Sequence, residues 1–173
     1  MKSAQPLLRL AEPDDALPVA RVHVRSWQVA YRGLLPDEYL DGLRPEERAR
    51  HYTFGNRDPN QPATVIALMQ ETICGFATTA PARDPEASGS GELCALYVDP
   101  DRWGRGIGAA LLAEACDRLV KQGFSEALLW AMNGNERALQ FYRNHGWFTD
   151  GTRRTAKVWG ITVDEVRCRR TLP

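Results

Sequence analysis

Three glycines at alternate positions, Gly104, Gly106 and Gly108, lie between an apolar extended run (93–98) and a helical run that follows them. The first turn of a helix leaves backbone N–H groups without partners and carries the positive end of the dipole. Residues without a Cβ let an anion come close to those groups. The chemistry on offer is the binding of a phosphate or pyrophosphate. A Walker A loop needs Lys and then Ser or Thr after its last glycine, whereas Ala109-Ala110 follow Gly108. Gly104-Arg105-Gly106-Ile107-Gly108-Ala109 does fit G-x-G-x-x-A, so a dinucleotide site competes. Against it, five residues separate the apolar strand from the first glycine, and the next strand (127–132) runs into Met132-Asn133 with no carboxylate for a ribose. The plain structural alternative is that glycines permit tight strand–helix packing, for which one would suffice.

A second constellation lies further on. Asn135, Ala138 and Tyr142 fall at i, i+3 and i+7, which places an amide, a small residue and a phenol on one helix face. A capping Asn, a core Ala and a packed Tyr would show the same spacing. The histidines His23, His51 and His145 have no metal-ligand spacing, and no G-x-S-x-G, H-E-x-x-H or EF-hand loop occurs, so no metal is expected.

The elements that must position these residues follow from periodicity and punctuation. Residues 7–11 read as a strand, and Glu12-Pro13-Asp14-Asp15 as helix-start chemistry. Apolar residues at helical spacing from Ala16 to Tyr31 predict a helix that Gly33 and Pro36 end; 37–43 predicts a second, short one, and Pro45 opens a third that ends near Gly55. Residues 64–68 and 73–79 predict a hairpin around Gln70-Glu71-Thr72, and 81–91 a loop. After the glycine turn, apolar positions from Leu111 to Val120 predict a helix stopped by Gln122-Gly123. A strand (127–132) and a helix (135–145) follow, the helix capped by Asn135 and stopped by Gly146. Trp147-Phe148 and 161–172 read as closing strands. The second is rich in Arg (Arg167, Arg169, Arg170), the mark of a basic edge strand protected against aggregation. This order predicts one α/β domain over 1–173, three-layered (α/β/α), around a mixed, mostly antiparallel central sheet.

The stretch Val98-Asp99-Pro100, then Gly104-Arg105-Gly106-Ile107-Gly108 and Leu111-Leu112, resembles the acetyl-CoA pyrophosphate loop of the GNAT superfamily of N-acetyltransferases. That motif is written Q/R-x-x-G-x-G/A, and here Trp103 stands at the Gln/Arg position. Asn135, Ala138, Phe141-Tyr142 and Gly146-Trp147 resemble the family's N-x-x-A-x-x-F-Y…G-F/W segment, and the element order agrees over nearly the whole chain. The resemblance implies an acyltransferase that moves an acetyl group from acetyl-CoA to a primary amine (small molecule, peptide N-terminus or lysine) by direct transfer in a ternary complex. An acyl-CoA-binding sensor or interaction domain of the same fold, without turnover, is the alternative. It implies cofactor contacts from Leu96, Tyr97, Val98, Trp103, Gly104, Arg105, Gly106, Ile107, Gly108, Ala109, Asn135, Ala138 and Tyr142. The N–H groups around Leu96 and Val98 would polarise the carbonyl. Tyr142, protonated near neutral pH, would donate to the leaving thiolate, and Glu92, fourteen residues before Gly106, is a candidate base or a solvated strand start. The segment 26–36 (Ser-Trp-Gln-Val-Ala-Tyr-Arg-Gly-Leu-Leu-Pro) resembles the part that borders the acceptor mouth in one group of members. Trp27, Tyr31 and Arg32 are the candidates there, Trp27 and Tyr31, four apart on one helix face, being equally readable as core residues, and Arg32 suited to an acceptor carboxylate or phosphate.

Composition bounds the rest. The 173 residues suit one well-buried core; Lys+Arg and Asp+Glu are 22 each, a balance that argues against nucleic acid or an anionic membrane as partner. Four cysteines (Cys74, Cys94, Cys116, Cys168) lack C-x-x-C spacing and three sit in apolar patterns, which favours reduced thiols in a cytoplasmic protein. No apolar run approaches the ~20 residues of a membrane span. A monomer or homodimer is expected.

Overall fold

The computed structural model describes residues 4–173. Seven strands form one sheet: β1 (Leu7–Leu10), β2 (Ala63–Met69), β3 (Thr72–Pro81), β4 (Gly91–Val98), β5 (Glu126–Met132), β6 (Phe148–Val158) and β7 (Ile161–Thr171). The helices are α1 (Ala16–Ala30), α2 (Asp37–Asp41), α3 (Pro45–Ala49), α4 (Ile107–Lys121) and α5 (Glu136–Asn144). Spatial order is β1-β2-β3-β4-β5-β7-β6, and every neighbouring pair is antiparallel except β4–β5. The expected α/β class and mixed sheet are therefore observed. No helix among the described residues is long and apolar enough to cross a membrane.

Alternation along the strands divides the core in two. On one face Val65, Ala67, Cys74, Ala77, Leu93 and Leu129 pack against Leu111, Leu112, Ala115 and Leu119 of α4 and Leu139 of α5. On the other, Ile66 and Phe76 meet Val19 and Val22 of α1, and Met132 and Val163 meet Val24, Trp27 and Tyr31. Residues one apart in a strand thus serve opposite layers, the period-2 rule that makes a half-buried strand.

Several expectations are corrected. The Arg-rich strand β7 is not an edge: it lies between β5 and β6, and Arg167 is buried in ion pairs with Asp84 (2.8 Å) and Asp150 (2.7 Å). The edge belongs to β6, which runs to Val158; Trp147 precedes it and is fully enclosed in the core. The third helix ends at Ala49, not near Gly55, and β3 continues to Pro81 before a short turn at Pro85–Ala87. The β2–β3 hairpin turns on Gln70 and Glu71 alone, both with positive φ (50° and 63°), the mirror-type geometry that matches strand twist. All four cysteines are free; Cys74, Cys116 and Cys168 are buried, while Cys94 is exposed along a cleft.

Candidate active site

Strands β4 and β5 begin as neighbours and then part. Their parallel ladder holds only Gly91–Ala127, Glu92–Leu128 and Leu93–Leu129. The cause lies in β4: its register with β3 slips between Thr78↔Ala95 and Thr79↔Leu93, so Cys94 is an extra residue. A bulge bends and twists its strand, and this one turns the far end of β4 away from β5. Asp99 gives its N–H to the Cys74 carbonyl on the β3 side (2.8 Å). By alternation, Leu96 and Val98 turn theirs toward the gap. The Val98 carbonyl, which points the same way, accepts from Ser26 Oγ (3.0 Å) and from the Trp103 indole N–H (2.9 Å).

A cavity of about 630 Å³ fills this split and passes from one face of the sheet to the other. One mouth is closed by the N-terminus of α4. Gly106 is the residue before the helix, with φ 80°, and Gly104 has φ 74°; no atom lies within 4 Å of where a Cβ would stand at either. Both supply left-handed backbone and leave the turn uncovered. Gly108 differs: it lies inside the helix, where a Cβ would stand in ordinary contact with the Phe141 ring at 3.5 Å, so this position would accept an alanine. Trp103, Gly104, Gly106, Ile107, Gly108 and Ala109 line the cavity, whereas Arg105 faces a separate hollow beside Gln5 and Leu8.

Residue types at the Gln/Arg position of the turn are settled by contact. Trp103 is pinned by its bond to Val98, and the Arg137 guanidinium carbon lies over its ring, 3.4 Å from the centroid. Arg137, absent from the residues singled out in the sequence, therefore brings a cation to the same wall; its signal was a basic residue two positions after the Asn135 cap. Asn135 does cap α5, its Oδ1 accepting from the Ala138 N–H (3.3 Å). Asn135, Ala138, Phe141 and Tyr142 all line the split.

Tyr142 enters from the α4–α5 face, and burial pushes its phenol well above the ordinary tyrosine range, with Tyr97 and Cys168 adding to the shift. Glu92 enters from the opposite face. Burial raises its pKa too, opposed by the Cys94 thiol, which donates to Glu92 Oε2 (3.6 Å), and by the charges of Arg154 and Arg83. The split thus holds a phenol that stays protonated and a carboxyl more basic than usual, on opposite sides of one opening. Burial moves both the same way, so it is their intrinsic acidities, phenol against carboxyl, that suit one to act as acid and the other as base.

From α1, Trp27 and Tyr31 line the same face as Glu92, and the Tyr31 hydroxyl lies 3.4 Å from that of Tyr97. Both are also core residues, as the spacing allowed. Arg32 is elsewhere: it is exposed, bonded to Asp37 (3.2 Å) and Asp41 of α2, and forms no part of the cavity wall. Its charge braces the α1–α2 corner. The basic residue that does line this end is Arg154 on β6, beside Glu165 on β7. His145 lines the split as well, its Nδ1–H directed to the Phe141 carbonyl (2.8 Å), and His23 is buried with Nδ1 2.8 Å from the Tyr52 hydroxyl.

Comparison with known proteins bears on the family and the fold. Residues 24–147 match the model of the acetyltransferase (GNAT) family. An N-acetyltransferase of Bacillus subtilis (strain 168), YuaI, is 30% identical over 139 residues, covering 79% of this chain and 76% of its own. Among solved structures, a GCN5-related N-acetyltransferase from Rhodopseudomonas palustris superposes with TM-score 0.75 at 21% identity over 99% of both chains. The PaiA N-acetyltransferase of Thermoplasma acidophilum, solved in complex with coenzyme A, gives 0.71 at 20% identity over 97% of this chain and 99% of that one.

Proposed function

The chain belongs to the acetyltransferase (GNAT) family, and on that premise we propose that it transfers an acetyl group from acetyl-CoA directly to a primary amine while both are bound. The observation that carries the reading is the split between β4 and β5: a single cavity joins the glycine turn at the start of α4, Tyr142 on one face and Glu92 on the other. The fit to acetyl-CoA rests on the parts of that cavity. The uncovered N–H groups before α4, with Arg137 on Trp103 beside them, suit a pyrophosphate. The strand edge of β4 suits the amide-bearing arm that leads to the thioester, and the Leu96 and Val98 N–H groups suit its carbonyl oxygen.

In this reading the amine enters from the α1 face, where Glu92 takes its proton, directly or through water. The nitrogen attacks the thioester carbon and forms the C–N bond, and the proton left on the adduct nitrogen passes to solvent water; the tetrahedral intermediate collapses by breaking C–S. Tyr142 supplies the proton that the thiolate needs and is reprotonated from solvent. Its raised pKa keeps the phenol protonated, and the same enclosure raises the basicity of a thiolate formed beside it, so the two shifts oppose each other in the transfer. Retention of both an acid and a base in the split favours turnover over a binding-only domain. Release of free CoA thiol from acetyl-CoA, followed over a panel of amines, tests the proposal. Amine-dependent release at rates far above hydrolysis supports it; acetyl-CoA binding with no acceptor-dependent release would leave the sensor reading.

A further inference from the structure

The face of the sheet toward α1 carries a guanidinium that is held in place yet only partly used. Arg154 sits opposite Glu165 in the β6–β7 register, and its Nε donates to Glu165 Oε1 at 2.9 Å. Its Cζ lies over the Trp130 ring, 4.1 Å from the centroid. Those two contacts hold the group in place, while Nη1 and Nη2 have no acceptor among the described residues. Neighbouring Arg167 makes the contrast: Nε and Nη1 are both bonded to carboxylates, and the residue is buried. The Trp130 ring lies near both guanidinium groups, 5.8 Å from the Arg167 Cζ, so the two differ in their acceptors: a cation that served only to neutralise Glu165 would be free to turn its fork onto both oxygens.

Arg154 and Glu165 line the same cavity as Glu92, with Trp130 on β5 between the strand that bears Glu92 and the one that bears Glu165. Of the two carboxylates that line the cavity, Glu165 is already partnered. That leaves Glu92 for the amine and the Nη1–Nη2 end of Arg154 for a second group of opposite charge. Resting on the acetyl-transfer reading above, we infer that the acceptor is an amine that also carries an acidic oxyanion, a carboxylate or an oxyacid of phosphorus, bound end-on by Arg154. Glu165 is then a positioning residue that orients Arg154. The aromatic and aliphatic wall made by Trp27, Tyr31, Val158 and Val163 takes an apolar body attached to the same molecule. A diamine or polyamine would need both carboxylates and would meet Arg154 as a repulsive charge, so this end of the cavity disfavours it.

Matched acceptors test the assignment. Thiol release is followed with an apolar aminocarboxylate, its carboxamide, the corresponding bare amine, the aminophosphonate, and a diamine. The expected result is a kcat/KM for an acidic acceptor about ten- to hundredfold above that of its carboxamide and bare amine, the range of a charged hydrogen bond. The carboxylate and phosphonate arms tell which oxyacid fits. Arg154→Gln should collapse that preference toward one through the KM of the acidic acceptor, with the KM of acetyl-CoA unchanged. Arg154→Lys should restore only part of it, because the charge returns without the fork. Glu165→Gln should raise the same KM, since the guanidinium loses its anchor. Bare amines or the diamine outperforming the acids in the unmodified protein would overturn the inference and leave acetyl transfer standing. So would an Arg154→Gln protein that loses activity equally toward every acceptor. If no amine of any class releases thiol although acetyl-CoA binds, the transfer reading falls and the inference falls with it.

Discussion

The guanidinium of Arg137 lies 3.4 Å from the centre of the Trp103 ring, joining the first turn of α5 to the turn that precedes α4. The two residues come from segments 34 positions apart, and the Trp103 indole is itself held by its bond to the Val98 carbonyl (2.9 Å). Trp103 acts as a platform that keeps a cation near the uncovered N–H groups of Gly104 and Gly106. Arg137→Ala should therefore weaken acetyl-CoA binding roughly five- to thirtyfold, the range of a partly desolvated cation–π contact with a charged ligand nearby. Trp103→Ala should cost a similar factor, and the double variant less than the product, because the pair acts as one unit. Calorimetric titration of all four proteins measures this; fully additive losses would mean the stack is incidental.

Tyr142→Phe removes one hydroxyl and nothing of the ring that packs against Phe141 and Trp147. The expected outcome is a fall in kcat of about a hundredfold with little change in acetyl-CoA affinity. An acid is lost when pH rises through its pKa, and burial moves this one upward, so it contributes no alkaline limb below about pH 10. A fall in activity at lower pH that vanishes in Tyr142→Phe would contradict the assignment.

Glu92 must be ionised to accept a proton. Because burial raises its pKa, the acidic limb of kcat/KM should lie above the ordinary glutamate value of about 4.3 and should disappear in Glu92→Gln. Stability carries the same sign information. A carboxyl whose folded pKa is raised costs stability once ionised; the cost is absent below the unfolded pKa and complete above the folded one. Glu92→Gln should therefore raise Tm relative to the parent protein at neutral pH and lose that advantage as pH falls toward 4. Thermal melts at two pH values decide it.

Much of this site could be read in the chain before any coordinates. The run from Leu93 to Leu119 announces strand, turn and helix by apolar periodicity and three glycines, and Asn135 announces a cap by position. What stayed hidden is informative. Residues 149–158 are almost wholly polar, since β6 is an edge strand with most side chains in solvent, so no period-2 pattern survives. With β6 unseen, β7 looked like the edge, and Arg154 could not be placed against Glu165. Arg32 misled for a local reason: it follows Tyr31 in sequence, but at a helix end consecutive side chains diverge, and Asp37 and Asp41 claim its charge. The bulge at Cys94 has no glycine or proline to mark it. Its effect appears only where β5, over thirty residues later, fails to follow β4.

The parting of β4 from β5 also divides the chain as a linear object. Everything up to Lys121 builds the plate β1–β4 with its helices, and everything from Glu126 onward builds the plate β5–β7 with α5. Three rungs of ladder, the Arg167–Asp84 ion pair, the Arg137–Trp103 stack and the packing of α4 and α1 across the seam are among the contacts that hold the plates together. A molecule lying in the split and bonded to both strand edges would supply the rungs that the sheet lacks. Substrate is then a building material as well as a reactant: a chain cut at Gln122–Gly123 would yield two fragments whose affinity for each other depends on what lies between them.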